Sequence, residues 1–403
     1  MTTPTLPKIL FVTPRFLFPL DTGGQIRSAK ILRAAQGTLL DITLVAPATA
    51  DQVRTHAHEL QNVCSRFLPY PPRWSHPWHR WLGRALALFG NLPISVASDL
   101  SKPLQQLLAQ ERRSQTYAAE VCDFLHQAVN YPTLPGPMPF VLFTHNVEQE
   151  IFRRRLEVAK TGWQRWLWRN QYQKMARLES HLVGRFHRIL TVSERDRQFF
   201  LTNTRHPDVR MIPTGVDWDE LPWHPPAPTR EMVFMGSMDA HQNVEGVRWF
   251  LEAIWPLVAQ QVENARVRII GRYPPAALVS AYQADKRIEF TGWVADVAAA
   301  ARTGQVFIVP LRVGSGTRIK IYEAMALGLP VVSTTIGAEG LELLPGKHFV
   351  QADRPEEFAA ALVALLNDHE TCVTLSKEAR LQVESCCGWQ QAAQVLARAC
   401  SII

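Results

Sequence analysis

The chain has 403 residues, 47% of them hydrophobic and 20% charged, which is the balance of a folded globular protein of roughly two to three domains. Disordered, collagen-like and coiled-coil chains are excluded on that composition. Forty-three Lys and Arg against 36 Asp and Glu give a net charge of +7, which suits an acidic partner without saying whether it is a phosphate, a membrane surface or a nucleic acid. The first predicted strand is Lys8 to Pro14, followed by a turn at Gly23-Gly24 and a helix over 25–35. Further strands are predicted at 41–47, 120–125, 140–144, 188–192 and 209–213. These are continuous apolar runs spaced by helix-length segments, the pattern of a parallel sheet buried on both faces.

The alternation breaks at Asp217 to Arg230, which holds Pro222, Pro225, Pro226 and Pro228. That density of proline suits neither a helix nor a central strand, so a linker is predicted there. Strands resume at 232–236, 266–271, 306–310, 330–333 and 348–350, with helices over 244–258, 317–327, 355–367 and 370–383. A last helix over 389–400 carries an apolar stripe at Ala392, Val395, Leu396 and Ala399. Two α/β domains are therefore expected, residues 1–216 and 231–384, joined by a linker at 217–230, with 385–403 crossing back to the first. Ligands of such sheets sit beyond the carboxyl ends of the strands, so the default site is a cleft between the domains.

The six cysteines, Cys64, Cys122, Cys372, Cys386, Cys387 and Cys400, include no CxxC pair and no metal-ligand spacing. The first apolar run is too short for a signal peptide, and no uncharged stretch reaches the roughly 18 residues of a membrane span. A cytoplasmic location is expected.

The richest segment runs from Gly314 to Val332. Gly314 and Gly316 let backbone approach a ligand closely, and the helix that follows presents free N–H groups. Arg318 and Lys320 lie in its first turn, where cations oppose the helix dipole unless an anion is bound, which points to a phosphate. Glu323 shares the Lys320 face and is the only acid in a stretch that reads as buried. Its donors would be Lys320 in an ion pair or the two hydroxyls of a ribose.

These residues, with Gly23-Gly24, Thr144-His145-Asn146, Thr191-Val192-Ser193-Glu194, Pro213 to Asp217 and Phe234-Met235-Gly236-Ser237, resemble the group 1 retaining glycosyltransferases of GT-B architecture. The motifs follow the family's order along nearly the whole chain. They resemble the subgroup with a Gly-x-Gly-Thr-Arg-x-Lys segment, which includes bacterial exopolysaccharide sugar transferases. The resemblance implies two Rossmann-like βαβ domains facing a central cleft. It also implies transfer, with retention, of a sugar from a nucleotide-diphosphate donor to a glycan or lipid-linked glycan. Glu323 would hold the ribose, and Gly236, Ser237, Gly314, Ser315, Gly316 and Thr317 would line the donor, with Gly23 and Gly24 approaching it from the first domain. Arg318 and Lys320 would neutralise the diphosphate, and His145 would approach the sugar without acting as a nucleophile. No metal or other cofactor is implied. Ser315 stands where many members carry a first glutamate, and Ser237 where the family has an arginine.

Several alternatives stay open on the residues themselves. A tight turn alone accounts for Gly23-Gly24, and His145 could be a partly exposed side chain beside an Asn146 helix cap. A nucleotide-sugar epimerase or a non-catalytic nucleotide-sugar-binding subunit would use a similar scaffold. Asp217-Trp-Asp219 imitates a metal-binding Asp-x-Asp, but the fold alternation around it is wrong for that class. Between Phe152 and Arg188 ten Lys or Arg face two Glu. With Trp163, Trp166, Trp168 and the cluster Trp74, Trp78 and Trp81, this stretch suits an anionic membrane surface or a lipid-linked acceptor. Solvated arginines over core tryptophans are the alternative. No nucleic-acid module accompanies the basic stretch.

Overall fold

The computed structural model describes residues 6–72, 90–132, 136, 138–157, 159, 161–313 and 319–401. Trp74, Trp78 and Trp81 lie outside them, as do Gly314, Ser315, Gly316, Thr317 and Arg318. The chain divides into two compact units, Met1–Gly215 with Trp389–Ile403, and Val216–Gly388. No helix among the described residues is long and apolar enough to cross a membrane.

The first unit is built on parallel strands β1 (Lys8–Val12), β2 (Asp41–Pro47), β3 (Arg66–Tyr70), β4 (Ala119–Asp123), β5 (Phe140–Thr144), β6 (Arg188–Thr191) and β7 (Val209–Met211). Their order is β3-β2-β1-β4-β5-β6-β7. The apolar run of β1 serves two cores, because successive side chains leave opposite faces of a strand. Ile9 and Phe11 join one, Leu10 and Val12 the other. The strand β3 carries no such run, and Pro69 suits its place at the sheet edge.

The chain's last helix, Trp389–Cys400, covers the same face as the helix Gly23–Ala35. Ala392, Ala393, Leu396, Ala399 and Cys400 are buried there beside Ile9 and Phe11. Its entry needs a glycine elsewhere: a Cβ on Gly215 would stand 2.2 Å from the Trp389 ring. Its exit is held by buried Arg188, whose Nη1 donates to the carbonyls of Ala399 at 2.6 Å and Ser401 at 2.7 Å. A cation on the terminal carbonyls satisfies groups that have no partner within the helix.

The second unit carries β8 (Glu231–Met235), β9 (Arg266–Ile270), β10 (Ile288–Gly292), β11 (Val306–Val309), β12 (Val331–Ser333) and β13 (Val350–Gln351). These parallel strands follow the order β10-β9-β8-β11-β12-β13. Met232 and Phe234 face one core, Val233 and Met235 the other. The helix expected over 244–258 runs from His241 and widens into a π turn at Phe250–Ile254. Pro256, which has no N–H to donate, opens the next helical piece, Trp255–Gln261.

The stretch 217–230, expected as a linker, is instead packed into the second unit. Trp218 and Leu221 lie against its core. Arg380 donates to the carbonyls of Trp218 at 2.8 Å, Leu221 at 2.7 Å and Ala326 at 2.5 Å. The prolines keep this backbone out of regular structure, so its carbonyls need outside donors, and one guanidinium supplies them. Gly328 is required at the same contact. Its φ is +88°, and a Cβ would fall 2.0 Å from the His224 carbonyl oxygen.

In each sheet the order reverses between two central strands, β1 and β4 in the first, β8 and β11 in the second. Loops from neighbouring strands diverge there and leave a crevice beyond the carboxyl ends. Leu396→Ala should lower the stability of the first unit by roughly 2–5 kcal/mol, the cost of a large-to-small change at a sealed position. Protease protection of residues 8–215 in a urea series measures it. Unchanged protection would show that the closing helix is dispensable to that unit.

Candidate functional site

At the carboxyl end of β8 the chain turns through Gly236 and Ser237. Two contacts make Gly236 necessary: a Cβ there would stand 2.7 Å from Lys320 Nζ and 2.8 Å from Asn243 Nδ2. Lys320 lies in the first turn of the helix Ile319–Ala326. Its ammonium donates to Asn243 Oδ1 at 2.9 Å and stands 4.4 Å from the Phe234 ring centre. The Asn243 amide in turn donates to the Ser237 carbonyl at 2.8 Å. A lysine amine is thus fixed over the turn by a side-chain amide and an aromatic face.

Ser237 donates to Asp239 Oδ1 at 2.6 Å and accepts from Arg272 Nε at 3.2 Å. A guanidinium therefore stands beside the turn although the residue after Gly236 is serine. It comes from the end of the neighbouring strand β9, just after Gly271. A Cβ on Gly271 would overlap the Gly236 carbonyl oxygen at 1.9 Å, so the two strand ends lie in close contact. At the end of β11, Arg312 pairs with Glu245, its Nε donating to Oε1 at 3.0 Å.

Glu323 is exposed, not buried as its apolar neighbours imply. Among the described residues it makes no ion pair, and Lys320 turns to Asn243. Desolvation by neighbouring protein raises its carboxyl above the ordinary value, Lys320 lowers it and Asp217 raises it. One short helix thus offers a fixed ammonium and an open carboxylate.

The first unit holds a second polar group at the carboxyl ends of β1, β4 and β5. His145 follows β5 and is buried. Its Nε2 meets Asp123 Oδ1 at 2.8 Å, and its Nδ1 meets Arg27 Nη1 at 3.3 Å. Arginine only donates, so Nδ1 is the acceptor and Nε2 carries the hydrogen given to Asp123. Ser28 donates to the other Asp123 oxygen at 3.0 Å, and Arg27 Nη2 donates to Thr214 Oγ1 at 3.1 Å. Burial lowers the Arg27 guanidinium to about 10, with Asp123 and Asp196 opposing the shift. The Phe124 ring stacks on the imidazole at 4.1 Å.

This arrangement assigns separate parts to the two glycines at 23 and 24. A Cβ on Gly24 would stand 2.6 Å from Phe124 Cζ, so Gly24 makes room for the ring that covers His145. Gly23 meets nothing within 4 Å and opens the helix Gly23–Ala35, whose N-cap is Thr22. His145 is not a partly exposed residue beside a capping Asn146. Both of its ring nitrogens are turned to Asp123 and Arg27, and the next helix starts at Glu148.

Comparison with known proteins now adds the fold's relatives. The sucrose-phosphate synthase of Thermosynechococcus elongatus superposes with a TM-score of 0.68 over 97% of this chain and 98% of its own, at 15% identity. Anabaena Alr3699/HepE, solved with UDP and glucose, superposes with a TM-score of 0.64 over 97% and 98%, at 12% identity. The fold is GT-B. The family model described as glycosyl transferases group 1 matches residues 229–368, the heart of the second unit. The phosphatidyl-myo-inositol mannosyltransferase of Mycobacterium leprae is 33% identical over 171 residues, 40% of this chain and 45% of that protein. The aligned part thus spans about half the length of that relative.

Within this GT-B chain the structure brings Gly236, Ser237, Lys320 and Glu323 to one unit, and Gly23, Gly24 and His145 to the other. Sequence reasoning missed Asn243, Arg272, Asp123 and Arg27. Arg272 directly follows a strand and a glycine, and Asp123 ends a central strand, so their positions at carboxyl ends were the available signals. Asn243 and Arg27 carried none, because their partners are distant along the chain. Asp123→Ala should cost about 1–3 kcal/mol, since Ser28 and His145 lose a buried acceptor. Asp123→Asn, which keeps one acceptor oxygen, should cost less. Chemical denaturation of both variants checks the order, and equal costs would show that the carboxylate's pairing is not what matters.

Proposed function

We propose that the protein is a retaining glycosyltransferase that moves a sugar from a nucleotide-diphosphate donor to a glycan or lipid-linked glycan in cell-surface polysaccharide synthesis. The observation that carries this reading is the placement of Lys320 against Gly236 at the β8 end, with Glu323 exposed one turn further along the same helix. These residues lie inside the stretch that matches the group 1 model. The UDP and glucose bound to the HepE neighbour support a nucleotide sugar as the donor.

In this reading Glu323 accepts hydrogen bonds from the ribose hydroxyls. Lys320 and Arg318 stabilise the charge that gathers on the diphosphate as its bond to the anomeric carbon breaks. Arg272 adds a cation where the family's arginine is replaced by Ser237. Gly314, Ser315, Gly316 and Thr317 bring backbone to the donor. His145 acts by holding Arg27 and Asp123 in place rather than by offering a ring nitrogen. Turnover needs no metal, so EDTA leaves it unchanged.

Glu323→Gln should weaken binding of a nucleoside diphosphate by roughly 1.5–3 kcal/mol, about 10- to 150-fold, as a charged acceptor becomes neutral. Lys320→Ala should cut turnover far more than it cuts thermal stability. Calorimetry with UDP and GDP, followed by a transfer assay, checks both. A folded Glu323→Gln chain with unchanged affinity would remove the ribose role.

A second observation favours an acceptor presented at a membrane. Trp163 and Trp166 open the helix Gly162–Val183, are 61% and 47% exposed, and stack on each other at 4.8 Å. Arg165 and Arg169 are exposed beside them. Indole rings beside arginines suit the boundary between lipid headgroups and acyl chains, here on the cytoplasmic face. The double change Trp163→Ala with Trp166→Ala should abolish the salt-resistant part of co-sedimentation with anionic vesicles while UDP affinity stays constant. If the unchanged chain fails to sediment at low salt, the membrane role falls.

A further inference from the structure

Cys386 and Cys387 take no part in the chemistry proposed above, yet they form the one close thiol pair among the described residues. Cys386 is the last residue of the helix His369–Cys386 and is half-buried. Cys387 follows it and is buried. The two sulfurs are 3.0 Å apart, roughly 1 Å more than a disulfide bond. The other four cysteines are buried singly.

The pair is asymmetric. The hydrogen bond between the two sulfurs holds Cys386 below the ordinary thiol value against the opposing effect of burial. The same bond, with burial, pushes Cys387 far up. Gln382 Nε2 also approaches Cys386 Sγ, at 3.7 Å. Cys386 is therefore the better nucleophile and the more accessible residue of the two, with a second thiol in contact.

The surroundings connect the pair to the helix that carries Lys320 and Glu323. The Cys387 carbonyl accepts from Val216 N–H at 2.7 Å, at the point where the chain enters the second unit. Cys387 is buried in the same core cluster as Tyr322. Tyr322 sits between Lys320 and Glu323 in Ile319–Ala326, and its oxygen accepts from Glu342 N–H at 3.2 Å.

We propose that Cys386 and Cys387 are a reversible oxidation site that closes to a vicinal disulfide when a hydroperoxide reaches Cys386. The Cys386 thiolate attacks a peroxide oxygen, the O–O bond breaks, and the departing hydroxide takes a proton to become water. The product is a sulfenic acid on Cys386. The Cys387 sulfur then attacks that sulfur, the S–O bond breaks, and the hydroxyl leaves as water with the Cys387 proton. Two thiols are oxidised and one hydrogen peroxide is reduced to two waters. Neighbouring Cα atoms are about 3.8 Å apart, below the roughly 4.4–6.8 Å of relaxed disulfides, so the ring is strained and easily reduced. Closure shifts the Cys387 side chain within the core cluster that also holds Tyr322, and so disturbs the packing under the helix Ile319–Ala326. The resulting loss of nucleotide affinity rests on the function proposed above.

The test treats the reduced full-length chain with hydrogen peroxide and maps its peptides by mass spectrometry. The peptide holding both cysteines should lose two hydrogens and regain them with dithiothreitol. In the Cys387→Ser chain, dimedone should trap a sulfenic acid on Cys386, and the Cys386→Ser chain should remain a free thiol. UDP titration should show a several-fold loss of affinity in the oxidised chain, restored by reduction. Two thiols left free after peroxide, or passage of Cys386 straight to sulfinic acid, would overturn the site. A disulfide with unchanged UDP affinity would overturn its link to the helix. A reduced chain that binds neither UDP nor GDP would refute the donor reading, while the peptide map would still decide the disulfide.

Discussion

An all-parallel sheet must be covered on both faces, and the rest of this structure answers to that constraint. No water-facing side is available at the sheet centre, so the central strands are mostly apolar and each face needs helices. The helix Trp389–Cys400 is brought from the far end of the sequence, and its exit is fixed by Arg188 on two terminal carbonyls. Gly215 exists at that contact because the Trp389 ring leaves no space for a side chain. The faces are thus sealed, and only the strand ends remain for polar chemistry.

Both switch points are built by the same means and reach different results. In each, a glycine lets a large group come close: Phe124 over Gly24, and Lys320 with Asn243 over Gly236. In the first unit the approach closes a buried network in which His145, Asp123, Arg27, Ser28 and Thr214 are joined by hydrogen bonds. Burying a guanidinium is costly, and the lowered value of Arg27 reflects it. In the second unit the carboxylate of Glu323 and the guanidinium of Arg272 stay at the surface. An internal network gives rigidity, whereas exposed charges held on rigid supports can meet a ligand. The second arrangement therefore carries the proposed donor chemistry.

Buried arginines do similar work elsewhere. Arg380 gathers three carbonyls from the proline-rich stretch and from the end of the helix that bears Glu323. A planar guanidinium with five donors can join segments that cannot pair with each other. That helix is thus held at its end by Arg380 and at its middle through Tyr322, which accepts from Glu342 N–H and shares a core cluster with Cys387. A covalent change at the thiol pair would act on the support of the site rather than on its charges.

The sequence by itself determined the two parallel sheets, because strands buried on both faces must read as continuous apolar runs, and β1, β5 and β11 do. It also determined which glycines stand at strand ends, since local turns are encoded locally. It could not determine what those glycines make room for. Phe124 lies 100 residues from Gly24, and Asn243 with Lys320 meets Gly236 only once the sheet has formed. The partners of His145 were invisible for the same reason: Asp123 ends a strand and Arg27 lies in the helix Gly23–Ala35, and no spacing along the chain marks them. Proline content placed Asp217 to Arg230 outside regular structure, but only the carbonyl pattern around Arg380 fixed it to the second unit. Glu323 shows the limit most clearly. Its apolar neighbours suggested burial, and the tertiary structure turned it outward, because one face of a helix can be sealed while the next residue faces water.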